Sequence, residues 1–557
     1  MFLKIKCTLV CFCVAFTMAF SQTKAPDNWF NLDSKENNVN GVSTEKTYSE
    51  LLKGKKGQTV VVAVIDNGLD FNHEDLKDIA WTNPKEIAGN GKDDDGNGFI
   101  DDIHGWNFLG GSDGKNVVHE TLEMTRLFAL LKPKYDNIDS TKVAPANKKE
   151  YEQYKKWKKE IEQNLQESQE ELAQLESIKT IIIGGLDAVA EKLGDKPVTK
   201  ANVEAINAGS NPNLNAGKNI ILKRLSTTNE PVTVQGVKEF WLEQIQPDIE
   251  HYESKVNYQY NVNFDSRKTI IKDNYANSYE HNYGNNMVNL PDAMHGTHVA
   301  GIIGASRSND IGIKGVADNV RIMSVRVVPD GDERDKDVAN GIIYAVDNGA
   351  QVINMSFGKG QSWDKTAVDK AVKYAAAHDV LIVHAAGNDS KDNDDKGNSN
   401  FPTARFEKSG WFCKKKASNW IEVGALSWKK GEDAVAPFSN YGHQNVDVFS
   451  PGVDIYSTVP DGKYKSLSGT SMASPVTAGV AALIRSYFPT LTAEQVKSCI
   501  ENSAVKQNYN VKKPGTDALV PFSSLSKTGG IVNAYEAVKL AGTIQGKKKI
   551  KAVAPRA

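Results

Sequence analysis

Residues 60–66, Val-Val-Val-Ala-Val-Ile-Asp, leave the chain few options. An unbroken run of β-branched residues suits a strand buried on both faces, and such strands belong to parallel sheets covered by helices. The run ends in a carboxylate, Asp66, before Asn67-Gly68. Open α/β sheets place their ligands at the carboxyl ends of their strands. The later sequence alternates strand patterns at 320–328, 351–356, 380–386, 420–426 and 446–449 with helix patterns at 336–348, 364–378 and 471–487. This alternation predicts an α/β fold: a doubly wound, mostly parallel sheet with helices on both faces. With 557 residues and a 40% apolar share, the chain suits one large α/β domain plus an insertion.

Two further segments carry reactive side chains. His295-Gly296-Thr297-His298-Val299-Ala300-Gly301 runs into Ile302 and Ile303, and its small residues let a helix pack closely. Gly469-Thr470-Ser471-Met472-Ala473-Ser474-Pro475 suits a sharp turn into helix 471–487, whose apolar stripe is Val476, Val480, Leu483 and Ile484. The free N–H groups of its first turn face whatever lies beside the Ser471 hydroxyl. Asp66, His295 and Ser471 together complete the set for nucleophilic acyl transfer. Serine attacks a carbonyl, histidine takes and returns the proton, and aspartate orients the imidazole and stabilises its charged form.

Around these three residues the chain resembles the subtilisin-like serine proteases, the subtilases, in the order Asp, His, Ser. The resemblance implies a subtilisin-like fold and a serine endopeptidase acting on polypeptides, with no cofactor for catalysis. It selects His295, not His298, as the base. Val380 to Asn388 reads as another buried strand ending in Ala385-Ala386-Gly387-Asn388. The resemblance assigns the oxyanion to Asn388, with the Ser471 backbone N–H as its partner. It also implies an extended peptide paired with Ser356, Phe357 and Gly358 on one side and Ala385, Ala386 and Gly387 on the other. The glycines permit close approach of the substrate backbone. Asn400 is expected near the base of the primary specificity pocket.

The departure from the family lies between Asp66 and His295, which stand 229 positions apart where compact subtilases use a few dozen. The expected organisation is a signal peptide at 1–21, an N-terminal extension at 22–58, a first peptidase part at 59–111, a largely helical insertion at 112–290, a second peptidase part at 291–541 and a basic tail at 542–557. Residues 147–180 predict a long charged helix, because Tyr151, Tyr154, Trp157, Ile161, Leu165, Leu172, Leu175 and Ile178 recur at three- and four-residue spacing. Its expected partner is a second helix near 182–194, another near 234–247, or a second chain. A helical hairpin capping the cleft or selecting substrates is the preferred arrangement; a decorative surface insertion is the alternative. The 22–58 segment is short for an independent domain, so no large N-terminal prodomain is expected to be released. Trp29, Phe30 and Leu32 are expected to dock this segment on the core.

Lys4 and Lys6 precede an apolar stretch from Cys7 to Phe20, and Ala19-Phe20-Ser21 follows. This predicts a secretory signal cleaved near Ser21, hence a periplasmic or extracellular protein with no membrane span after cleavage; an uncleaved anchor is the alternative. Cleavage deletes two lysines and no acid, taking the net charge from −2 to −4. With no basic domain, nucleic acid is not expected as a partner. Of five cysteines, Cys413 and Cys499 remain, either as one disulfide or as two buried thiols.

Two structural calcium sites are expected. Asp93, Asp95 and Asn97, followed by Gly98 and Ile100, match the start of a Ca²⁺ loop. Position twelve is His104 instead of the closing glutamate, leaving Asp101 or Asp102 to complete the site. The resemblance adds a second site at Asp75 and Asn309. Two other functions remain open: a lid-restricted processing peptidase, and a catalytically silent binding or scaffold protein of the same fold.

Overall fold

The computed structural model describes residues 24–395, 397–407 and 416–548. Its centre is a nine-stranded sheet. In chain order the strands are β1 (Val60–Asp66), β2 (Gly105–Asn107), β3 (Val320–Arg326), β4 (Val352–Met355), β5 (Leu381–Ala385), β6 (Trp420–Leu426), β7 (Val448–Pro451), the hairpin β8 (Ile455–Val459) and β9 (Lys463–Leu467), β10 (Val505–Lys506), the hairpin β11 (Asn510–Lys512) and β12 (Leu519–Pro521), and β13 (Gly530–Ile531). The sheet order is β10-β13-β7-β6-β5-β4-β1-β3-β2, and every pairing in it is parallel except β10 with β13.

β1 has the two-sided burial that its composition predicts. Val60, Val62 and Val64 enter one core layer, while Ala63 and Ile65 enter the other. The first layer is closed by the helices Met294–Gly304 and Thr470–Tyr487; Val476, Val480, Leu483 and Ile484 all lie in it. The second is closed by Asp335–Asp347 and Lys365–Ala377. Trp29 and Phe30 are fully buried in the first layer and Leu32 packs against it, so the N-terminal extension is part of the core.

The insertion supplies α1 (Glu123–Tyr135), α2 (Lys148–Leu193), α3 (Pro212–Thr227) and α4 (Val234–Ser254). One expectation is corrected here: residues 182–194 are not a second helix but the continuation of the 46-residue α2. The helix passes through Gly184-Gly185 unbroken because Gly185 is where α3 crosses. A Cβ on Gly217 would lie 2.0 Å from the Gly185 carbonyl oxygen. Ile182, Leu186 and Val189 of α2 share a small core with Leu214 and Ile221 of α3 and Val237 of α4. The near end of α2 is held by a separate aromatic cluster of Phe128, Tyr135, Tyr154 and Trp157.

A buried ionic cluster docks this unit on the main domain. Lys359 Nζ donates to Glu123 Oε2 at 2.6 Å and pairs with Asp335 Oδ1 at 2.9 Å. Arg126 pairs with Glu123 at 3.0 Å and donates to the Asp332 carbonyl at 3.1 Å. Burial opposes the charge on Glu123, but Arg126 and Lys359 outweigh it and hold the carboxyl at about 2. Cys499 is a fully buried free thiol; Cys413, residues 1–21 and the end of the tail lie outside the described residues.

Candidate active site

Asp66 is the last residue of β1, with its backbone paired to Arg326 of β3. Its buried Oδ1 lies 2.8 Å from Nδ1 of His295 and accepts the Asn67 N–H at 2.8 Å. His295 stands in the first turn of helix Met294–Gly304. The Asn67 side chain ties that helix to the strand: its Oδ1 accepts the Gly296 N–H at 2.9 Å and its Nδ2 donates to the Asp292 carbonyl. A Cβ on Gly296 would lie 2.1 Å from the Gly68 carbonyl oxygen, which explains the glycine after the histidine. Burial disfavours an imidazolium, yet the charge and hydrogen bond of Asp66 outweigh it and raise the His295 pKa above the usual histidine value.

Ser471 opens helix Thr470–Tyr487. Its Oγ donates to the Ser356 carbonyl oxygen at 2.9 Å, and Ser356 Oγ donates back to the Ser471 carbonyl at 2.8 Å. Asn354 Nδ2 supports Ser356 Oγ, and Ser474 Oγ donates to Asn354 Oδ1. The turn after β4 therefore holds the first turn of the serine helix. Ser356 also lines the cavity that His295 and Asp66 face.

The two proposed oxyanion donors converge. Asn388 Oδ1 accepts both the N–H and the hydroxyl of Thr470, at 2.8 and 2.9 Å, which fixes the amide plane. Its Nδ2 and the Ser471 N each lie 3.6 Å from the point where a Cβ of Gly469 would sit. A Cβ there would sit in ordinary contact with both groups.

The two expected substrate stretches flank Asn400. Its Nδ2 donates to the Ala385 carbonyl at 3.0 Å, and its amide leaves no room for a Cβ at Gly358. Gly387 (φ +106°) is needed because a Cβ there would meet Asn440 Nδ2 at 2.4 Å; Asn440 in turn donates to the Ala386 carbonyl. Phe357 and Gly358 make no backbone hydrogen bond among the described residues, leaving a free strand edge.

His298 is structural. Its Nε2 lies 3.0 Å from the carbonyl oxygens of both Ile455 and Lys465, so it carries the proton there, and burial lowers its pKa to about 4.

The metal candidates are rearranged. Asp93 and Asp95 gather with Glu86, which the sequence reading missed, their carboxylate oxygens within 4.8 Å of one another. Asn97 and Asp101 turn elsewhere. Asn97 Oδ1 accepts from Phe99 and its Nδ2 donates to Asp102, while the Asp101 carboxylate takes the Gly89 and Gly91 N–H groups. Asp102, raised to about 6 by burial, is committed to Tyr344, Asn83 and Asn97. Glu86 lies seven residues before Asp93, outside any linear motif. At the second site, Asn309 Nδ2 donates to Asp75 Oδ1 and Tyr464 donates to Asp75 Oδ2 at 2.8 Å. A cation there requires the Asn309 amide to turn its oxygen inward.

The Subtilase family profile matches residues 57–522. The chain belongs to the subtilase family. This subtilase is 39% identical over 246 residues to a thermophilic serine proteinase of Bacillus sp. (strain AK1), a match covering 44% of this chain and 52% of that one. It is 40% identical over 211 residues to subtilisin DY of Bacillus licheniformis, covering 38% and 70%. It is 38% identical over 253 residues to thermitase of Thermoactinomyces vulgaris, covering 44% and 75%. The subtilase therefore spans only about half the length of the first of these relatives. Among its described residues, no helix is long and apolar enough to cross a membrane.

Proposed function

We propose that this protein is a secreted serine endopeptidase that hydrolyses peptide bonds through an acyl-enzyme on Ser471. The observation carrying this reading is the 2.8 Å contact between Asp66 and His295 at the carboxyl edge of the sheet, facing the turn that holds Ser471. A substrate strand pairs with the free edge at Phe357–Gly358 and brings its carbonyl to Ser471. The Ser471 hydroxyl leaves the Ser356 carbonyl and gives its proton to His295 Nε2 as Oγ attacks. Asp66 holds the proton on Nδ1 and stabilises the imidazolium. Asn388 Nδ2 and the Ser471 N–H receive the oxyanion, each such donor being worth about 2.7–4 kcal/mol in the transition state. His295 then protonates the leaving amine, and water repeats the sequence to release the acyl group. The apolar leader before Ser21 supports export.

A structural calcium ion fits the 86–95 loop. Glu86, Asp93 and Asp95 offer hard oxygens, and the buried Glu86 Oε2 has no partner among the described residues. Such an ion would tie the loop to itself and take no part in proton transfer.

Labelling with an organofluorophosphonate followed by peptide mapping tests the reading. Wild type is modified at Ser471 and cleaves peptides, whereas Ser471→Ala does neither. A folded wild type that resists the label would turn the assignment toward a silent scaffold.

A further inference from the structure

The insertion does not stand clear of the active site. Helix α4 and the turn after it return to the catalytic groups, where Glu250, Glu253, Asn257 and Tyr258 form one wall of a cavity of about 620 Å³. Asp66, His295, Ser356 and Phe357 form the facing wall. The third side is Asp330, whose Oδ2 pairs with His119 Nδ1 at 2.9 Å; the His119 ring stacks on Tyr258 at 4.1 Å.

The charge lining this cavity is of one sign. Its carboxylates are Asp66, Asp292, Asp330, Glu250 and Glu253, and no lysine or arginine lines it. Asp66 is committed to His295, and Asp292 to Arg326 at 3.0 Å. Glu250 accepts only from the Gln246 amide, at 2.9 Å, and Glu253 makes no ion pair among the described residues. Lys255, two positions further on, is held over the Tyr252 ring at 5.1 Å. Two carboxylates on α4 therefore face the cleft without a cation.

A peptide bound along Phe357–Gly358 determines which side chain meets them. Side chains of an extended chain alternate between its two faces. The residue before the cut points between the two substrate stretches, towards Asn400. Its N-terminal neighbour points the other way, towards His295 and α4. The carboxylates offer charge-assisted hydrogen bonds to a cationic side chain.

Building on the endopeptidase reading, we infer that the insertion makes this enzyme selective for arginine or lysine at the second residue on the acyl side of the cut. Glu250 and Glu253 are its specificity-determining residues.

The test uses the full-length protein and three fluorogenic peptides that differ only at that position, carrying Arg, Ala or Glu. At low salt kcat/KM for the Arg peptide exceeds that for the Ala peptide by about tenfold, as expected for a few partly exposed charge pairs, and the Glu peptide is poorest. The Arg/Ala ratio shrinks as NaCl rises, because exposed charges are screened. In Glu250→Gln/Glu253→Gln the ratio falls towards one, and Glu253→Lys favours the Glu peptide. Both glutamates are exposed, so these variants leave the core intact. An enzyme that labels at Ser471 yet cleaves Arg and Ala peptides within twofold of each other overturns this inference alone, as does a ratio that the double variant does not move. Failure both to label and to cleave any peptide overturns the endopeptidase reading and this inference with it.

Discussion

The hydroxyl of Ser471 donates to the carbonyl oxygen of Ser356, and no hydrogen bond joins it to His295. The Ser471 hydroxyl is thus held on the turn after β4, while Asp66 holds the His295 imidazole. On the acyl-enzyme reading, the proton path assembles as the Ser471 hydroxyl gives up the Ser356 carbonyl for His295.

This arrangement sets the pH dependence. His295 must be neutral to accept the serine proton, and Asp66 raises its pKa above the ordinary value near 6.5. Activity is therefore full at alkaline pH and is lost as pH falls through a midpoint above 6.5. In Asp66→Asn, kcat drops by about 10⁴-fold and the midpoint of the residual activity moves to lower pH. A kcat/KM profile over pH 5–10 measures both.

Thr470 fixes the Asn388 amide, which on the acyl-enzyme reading receives the oxyanion. Asn388→Ala lowers kcat by about 10²–10³-fold with little change in KM. Gly469→Ala places a methyl between the two donors and acts in the same direction. Steady-state kinetics on one peptide distinguishes these effects from misfolding, since circular dichroism stays that of the wild type.

Calcium binding to the 86–95 loop raises Tm. At a free concentration one hundred times the dissociation constant the gain is about 2.7 kcal/mol. Glu86→Gln/Asp95→Asn removes the calcium response but leaves Tm in chelator close to that of wild type. Calorimetry with and without a chelator checks this.

Lys359 is a buried cation on which α1 of the insertion docks. Lys359→Met leaves Asp335 without its cation and Glu123 with Arg126 alone, and costs about 3–5 kcal/mol. Denaturant unfolding measures the loss, and limited proteolysis shows α1 released before the sheet unfolds.

His298 contributes stability that acid removes. Its pKa of about 4 lies below the unfolded value near 6.5, so the unfolded chain takes up the proton first. The contribution is present above pH 6.5 and is lost as pH falls towards 4, by on the order of 3 kcal/mol. His298→Gln keeps an N–H donor but cannot titrate, so the stability difference between the two proteins narrows or reverses on acidification.

Much of this molecule is legible in its order of residues. The Val60–Ile65 run required a strand with two apolar faces, and the small residues around His295 and Ser471 required close helix packing. These are local demands of sterics and hydrophobic burial, so the strand–helix alternation follows from neighbouring residues, and the candidate trio was legible through the resemblance of three short blocks. What the tertiary structure alone decided are relationships between positions with no sequence proximity. Glu86 joins Asp93 and Asp95 because a loop folds back on itself, and Thr470 orients Asn388 from 82 positions away. α4 lines one cavity with His295 only because α2, α3 and α4 pack as one unit, while α1 is tied to the main domain through Glu123 and Lys359. Helical periodicity marks the buried positions Tyr154, Trp157 and Ile161 of α2, but its stripe also includes Ile178, which is 45% exposed. It carries no information about where the far end of that helical unit comes to rest, since direction in space is set by packing against distant surfaces.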